Sequence, residues 1–435
     1  MAVKPYLLSN LLDVFESDHH CEKFPRHRAS TIKLLTHTRH TKRHSYTLMC
    51  RLLLMPLRAL TIILRTLGRL VLGIPYTKSS EKHTDDSETV RILRHIFDSV
   101  KSGDLGAEIY SRHGVDAERV VNLLQDLLDN GKTWKLLEED PDEFNRPQAC
   151  LSLLHISKLS HVLPQALFVK ADLLSLMPEE RGSSSDLYVG MYKGEKVAMR
   201  KIRSHPRVVN EGDRDPVREK LLLECLKWRQ LHHQNVLPLL GVDPDTVFHA
   251  PTLVQPWMSR GNIREYINKL ARKPDNDRLV IWLSDIGRGM KYLHDMNICH
   301  GDLRGNNILV SDDGVARVTD VVLLSLREEW TGAFPQRKGG PERWMAPELL
   351  QSSKPTFATD SFAFGFVTIE LFTGEIPDPD LSDTEVVDKI RHGIFPARPN
   401  TMSEEVWSLA SRCWGHDPST RPTMGDVVDT LSGTL

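Results

Sequence analysis

The sequence predicts an α+β domain over roughly its last 260 residues, Asp172 to Leu435, preceded by a short helical region and a basic N-terminal stretch. Three observations predict it. The stretch ICHGDLRGNNILV is followed by ARVTDVV and then by RWMAPELL. Upstream stand VAMR, which reads as a strand, and LLLECLKWRQLHHQNVLPLLGV, which reads as a helix leading into a strand. The chain has 435 residues, which allows two or three domains, because single cores stop growing near about 250–300 residues.

Taken in order, residues 1–50 read as a disordered basic tail. The run CEKFPRHRASTIKLLTHTRHTKRH is rich in His, Lys, Arg and Thr, with too few apolar positions to form a face. Its histidines 27, 37, 40 and 44 lack the regular spacing of metal ligands. Residues 1–75 carry twelve Lys/Arg against four Asp/Glu, a balance of +8, so the net charge of -2 leaves -10 for the remainder. Residues 51–75 turn apolar, yet Arg51, Arg58, Arg65 and Arg69 interrupt them and fall on one face at about 100° per residue. That pattern predicts an amphipathic helix at a membrane interface, with an anionic membrane surface as its partner. A membrane span and a core-packing helix are the alternatives.

No secretory signal is expected from MAVKPYLLSNLLDVFESDHH, which has early acids and no long apolar run. The six cysteines form no C-x-x-C pair, which argues against a zinc site or a disulfide framework. The expected setting is reducing, intracellular and cytoplasmic, with membrane association only through residues 51–75. Residues 88–170 should form a small helical bundle. Apolar positions recur at helical spacing in VRILRHIFDSV, in AERVVNLLQDLLDN with Gly131 as a C-cap, and in ACLSLLHISKLSHV before Pro164.

Phosphoryl transfer needs carboxylate or amide groups around Mg²⁺ and a carboxylate beside the acceptor hydroxyl. The central stretch supplies these types in order, and it resembles the protein-kinase family. His300, Asp302, Leu303 and Asn307 match H-R-D-L-x-x-x-N, and Asp320, thirteen residues after Asn307, matches the Asp of D-F-G. Met345 to Glu348 resemble A-P-E, with Arg421 the basic residue that such a Glu pairs with, and Asp360 and Gly365 match the next helix. The resemblance covers about three fifths of the chain and is nearest to tyrosine-kinase-like kinases of basidiomycete fungi. It implies a bilobal fold with a small β-rich lobe and a larger helical one. ATP and Mg²⁺ are the implied cofactors and a protein substrate or signalling partner the implied partner; no nucleic acid is expected.

On that resemblance Asp302 handles the acceptor proton, and Asn307 and Asp320 ligate the metal. Arg200 stands for the strand lysine, and Glu224 for the glutamate of the following helix. Gly182, Leu187, Ala198, Arg200, Met258 and Leu309 would surround the nucleotide, with Gln255 at the rear of the base pocket. Arg304 tilts the acceptor toward Ser/Thr, with Tyr also open.

Four departures bear on activity. Arg200 replaces a compact ammonium by a planar fork, and Lys201 beside it should face the other way. Only Gly182 survives of three loop glycines, Glu180 and Ser185 holding the other places. Val321 and Val322 replace the Phe and Gly of D-F-G, and Gly301 the arginine that reads a phosphate on the segment bearing Ser325 and Thr331. Pro341 also takes the place of a threonine beside the catalytic Asp. The readings are therefore a slow kinase, a pseudokinase that regulates partners, or a membrane-attached adaptor.

Overall fold

The computed structural model describes residues 92–93, 115–130, 145–182, 185–202, 215–244, 251–321, 340–352 and 354–434. The readings made for residues 1–75, Gly131, Val322, Ser325 and Thr331 lie outside them. All described residues belong to the unit Thr84–Leu435.

Two full helices come first among the described residues; most of VRILRHIFDSV, also expected to be helical, lies outside them. α1 (Val115–Asp129) and α2 (Asn145–Ser160) pack against one another. In α1 the periodic positions Val120, Val121, Leu124, Leu127 and Leu128 are buried, as its spacing requires. α2 begins at Asn145, four residues before the apolar spacing starts, because Pro147 in a first turn sacrifices no helical N–H bond.

The smaller lobe is an antiparallel six-stranded sheet. Its strands are β1 (Asp172–Leu173), β2 (Glu180–Arg181), β3 (Ser185–Tyr192), β4 (Glu195–Ile202), β5 (Gly241–Asp243) and β6 (Thr252–Pro256). Their order is β1-β3-β4-β6-β5, with β2 on the other end of β3. Between β4 and β5 lies α3 (Pro216–Arg229), capped by Asp215, whose carboxylate accepts from Val217 N at 3.0 Å. Because side chains alternate along a strand, the sheet has two distinct faces. Tyr188, Val197, Met199 and Val254 bury one against Val169 and Ala171. The other opens toward the second lobe.

The larger lobe is helical: α4 (Ile263–Lys269), α5 (Asn276–Asp295), α6 (Pro347–Ser352), α7 (Phe357–Thr373), α8 (Asp383–Arg391), α9 (Glu404–Cys413) and α10 (Met424–Ser432). A two-stranded ribbon, β7 (Ile308–Val310) with β8 (Ala316–Val318), carries the residues between the lobes. α7 is apolar nearly all round and is the buried axis of this lobe. The architecture is the α+β, two-lobed one expected from the sequence: a β-rich lobe, then a helical lobe, with helices α1 and α2 ahead of both. Among the described residues no helix is long and apolar enough to cross a membrane.

Candidate functional site

Strand register places the upper wall of the cleft. Leu187, Arg200 and Leu253 pair across β3, β4 and β6 in one rung, and Val189, Ala198 and Gln255 in another. Residues directly opposite share a face, so Leu187, Ala198, Arg200 and Gln255 line one surface. Val189 shares it, although sequence reasoning passed over it, since β3 lacks a clean period of two. Lys201 takes the register of the opposite face. The short β2–β3 hairpin puts Glu180 opposite Leu187 and is closed by Gly182 N donating to Ser185 O at 2.9 Å. An acid therefore lies on the same face of the sheet as Leu187, Ala198 and Arg200.

The chain between the lobes turns after Met258. The Met258 carbonyl accepts from Gly261 N at 3.0 Å, forming the turn that leads to Asn262, the N-cap of α4. Leu309 bridges Asn262, which brings β7 beneath this turn. At the back, Gln255 is buried and donates through Nε2 to Thr319 Oγ1 at 3.1 Å. Gln255 thereby ties the sheet to the residue that precedes Asp320.

Below the sheet the charged groups converge. Asn307 donates through Nδ2 to Asp302 O at 2.8 Å and to Asp302 Oδ2 at 3.1 Å, which leaves its amide oxygen as the available ligand atom. Thr319 N donates to Asn307 O at 2.9 Å, holding Asp320 alongside. Asp320 adopts φ 63°, in the left-handed region that Asp tolerates better than most residues. Its Oδ2 accepts from Arg200 Nη1, whereas Oδ1 is buried with no hydrogen-bond partner among the described residues. Arg304 Nε lies 3.2 Å from Asp302 Oδ1, an ion pair without hydrogen-bond alignment, since Nε has no hydrogen-bond partner. Glu224, on α3, pairs with Lys227 at 2.7 Å rather than with Arg200. Val321 is fully buried, packing where the resemblance puts a larger Phe.

Two buried acids on α7 hold the loop that bears Asp302. Asp360 accepts from His300 N at 2.8 Å, from Gly301 N at 2.7 Å, and lies 2.9 Å from His294 Nε2. Gly301 has φ 75°. Restoring an arginine there should therefore cost about 1–2 kcal/mol in a Gly301→Arg chemical-unfolding comparison. The second acid, Glu370, is fully buried and was missed by sequence reasoning. It accepts from Gly305 N at 2.9 Å, Trp344 Nε1 at 3.0 Å and Arg264 Nη1 at 2.9 Å, and Arg264 also donates to Asn306 Oδ1 at 2.7 Å. One signal was available: an acid in the otherwise apolar run FGFVTIELF is costly unless it is paired. Further out, Arg421 grips Glu348 with both terminal nitrogens, at 2.5 and 3.0 Å.

The donor set suits Mg²⁺ in chemistry. Asp320 Oδ1 is an orphaned buried carboxylate oxygen, and Asn307, whose backbone carbonyl accepts from the Thr319 N–H, has an amide oxygen that its bonds to Asp302 leave unused. The guanidinium of Arg200 already stands on Asp320 Oδ2, so the chain's own cation shares that carboxylate.

Residues 180–431 match the family described as protein tyrosine and serine/threonine kinase. The chain is 29% identical over 254 residues to the serine/threonine-protein kinase STY17 of Arabidopsis thaliana, covering 58% of this chain and 42% of that protein. It is 29% identical over 254 residues to the serine/threonine/tyrosine-protein kinase HT1 of the same plant, covering 58% and 63%. It is 30% identical over 248 residues to the megakaryocyte-associated tyrosine-protein kinase of Rattus norvegicus, covering 57% and 50%. The matches thus span between 42% and 63% of these relatives' own lengths.

Proposed function

From the premise that the chain belongs to the protein tyrosine and serine/threonine kinase family, we propose that it slowly transfers the γ-phosphate of ATP to protein Ser or Thr, with Tyr as a second acceptor. The observation that carries this reading is the convergence of Asp302, Asn307 and Asp320, joined through the Asn307 amide and the Thr319 N–H. Asp302 has an exposed edge and can accept the acceptor hydroxyl's proton. Asn307 and Asp320 would hold the metal. When bound, Mg²⁺ neutralises charge on the phosphate oxygens. Arg200 supplies positive charge on the phosphate-facing wall, and Leu187, Val189, Ala198 and Leu309 offer apolar surface to the base.

A tyrosine-kinase-like type of the basidiomycete kind is our finer assignment. It rests on HGDLRGNNILV and CWGHDPSTRPTM, together with relatives whose names span serine/threonine and tyrosine kinases. The intracellular, cytoplasmic setting is proposed on the free Cys150, Cys225, Cys299 and Cys413. Contact of residues 51–75 with an anionic membrane surface, and the adaptor role it would serve, are proposed on their arginines alone.

A second reading has its own support. The Arg200–Asp320 ion pair and the Glu224–Lys227 pair together favour a pseudokinase whose metal carboxylate is occupied from within. Labelled phosphate transfer from Mg·ATP by the full chain separates the two readings. If the kinase reading holds, Asp302→Asn lowers the rate by about 10²–10⁴-fold, and Arg200→Lys raises it. Silence in the parent and in Arg200→Lys, with all proteins folded, would leave the pseudokinase.

A further inference from the structure

The chain beyond residue 75 is net acidic, yet the connection between the lobes carries three cations that pair with no carboxylate among the described residues. Lys196, near the start of β4, has its Nζ 4.2 Å from the centre of the Trp257 ring, and its carbonyl accepts from Trp257 N at 3.3 Å. Three residues further, Arg260 lies over Tyr266 of α4 at 5.3 Å and donates through Nη2 to Asp312 O at 2.6 Å. Arg278, in the first turn of α5, lies over Trp282 at 4.9 Å and donates through Nη2 to Gly314 O at 2.6 Å. Both arginines reach the turn between β7 and β8 from one side: a Cβ added at Gly314 would collide with Arg278 Nη2 and stand 3.1 Å from Arg260 Nη1. By contrast Arg264, Arg288, Arg343, Arg398 and Arg421 each hold a carboxylate.

The acids of that turn are engaged elsewhere, Asp312 Oδ1 accepting from Ser259 Oγ and Asp313 Oδ1 from Ser311 Oγ. Two guanidiniums held this close repel one another, and an anion set between them turns that repulsion into attraction. A guanidinium laid on a ring keeps its in-plane N–H groups for such an acceptor, and Nη1 of both arginines is without a hydrogen bond among the described residues. The surroundings select the class of anion. Nucleic-acid bases stack on open ring faces, but Trp282 is 1% exposed and each of the three rings already carries a cation. A bilayer takes up apolar side chains, and none of the exposed large hydrophobic residues lies in these segments. Forked donors in a row suit carboxylates spaced along an extended chain.

We propose that Arg260 and Arg278, extended by Lys196, form a docking strip for an acidic, Asp- and Glu-rich segment of a partner protein, along the connection between the lobes. None of the three belongs to the group of Asp302, Asn307 and Asp320, so docking here needs no nucleotide. It holds equally for a slow kinase and for a pseudokinase.

A labelled decaglutamate peptide and the full chain test this, read by fluorescence anisotropy and by hydrogen exchange. The parent should bind the peptide, more weakly as ionic strength rises, and bound peptide should slow exchange of the amides in 257–262 and 311–316. Arg260→Gln with Arg278→Gln should weaken binding by about tenfold or more. Arg260→Lys with Arg278→Lys, which keeps the charge without the fork, should fall between that pair and the parent. Lys196→Gln should weaken binding by about threefold; its side chain is exposed and bonds to no backbone group, so it carries the test if the arginine pairs fail to fold in urea denaturation. A parent that does not bind decaglutamate overturns the strip. So does binding that the Gln pair and Lys196→Gln leave unchanged, which would place the peptide on the basic residues 1–75. Arginine-dependent binding of single-stranded DNA, or of phosphatidylserine vesicles, that is tighter than that of decaglutamate overturns the protein partner.

Discussion

Replacing Asp360 by Ala should lower the unfolding free energy by about 3–5 kcal/mol, the cost typical of breaking a buried charged cluster by removing one partner. Asp360 is 1% exposed and serves the His300 and Gly301 amides together with His294. Without it, two amides in a water-poor site lose their acceptor, each at about 1–3 kcal/mol. Asp360→Asn keeps one oxygen as acceptor and should cost less. Urea denaturation of the full chain and of each variant checks this. A loss below about 1 kcal/mol for Asp360→Ala would mean that the loop is held instead by His300 Nε2, 2.8 Å from Thr319 O.

Glu370→Ala should be of comparable size, about 3–5 kcal/mol, because it strands Arg264, the Gly305 amide and the Trp344 indole at once. Glu370→Gln retains the shape and should cost less. Burial pushes the Glu370 carboxyl above its ordinary 4.5, while Arg264, the Gly305 N–H and the Trp344 indole pull it back. A carboxyl whose pKa is raised in the folded state binds its proton more tightly there than in the unfolded chain. Its contribution to stability is therefore complete below about 4.5 and is lost as pH rises through the folded value. The stability advantage of the parent over Glu370→Gln should accordingly shrink as pH rises from about 4, and a gap that widens with pH would contradict a raised value.

The α+β class was legible because its signals are local, and so was the grouping of three polar side chains below the sheet. Asp302, Asn307 and Asp320 lie within one short stretch, and their chemistry is that of the side chains themselves. Arg200, too, could be placed on the same face of its strand as Ala198, since alternation in VAMR is a local rule. What escaped was partnership over long separations. Nothing in the sequence ties Gln125 to Gln230 across 105 residues, or Asp129 to Arg229 across 100. Glu370 lay between these cases: its cost as an acid in an apolar helix was visible, but its three donors come from three separate segments.

In the nucleotide-site reading proposed above, the amide of Gln255, bonded to the Thr319 hydroxyl at 3.1 Å, acts as a polar bolt across the rear of the base pocket. A synthetic competitor of the nucleotide that reaches past the purine ring with an aryl arm would have to draw that bolt, stranding a buried amide and a buried hydroxyl. Flat, short ligands confined to the outer pocket pay no such penalty. A truncated residue at position 255 would reverse the preference, giving a chemically addressable version of this cleft.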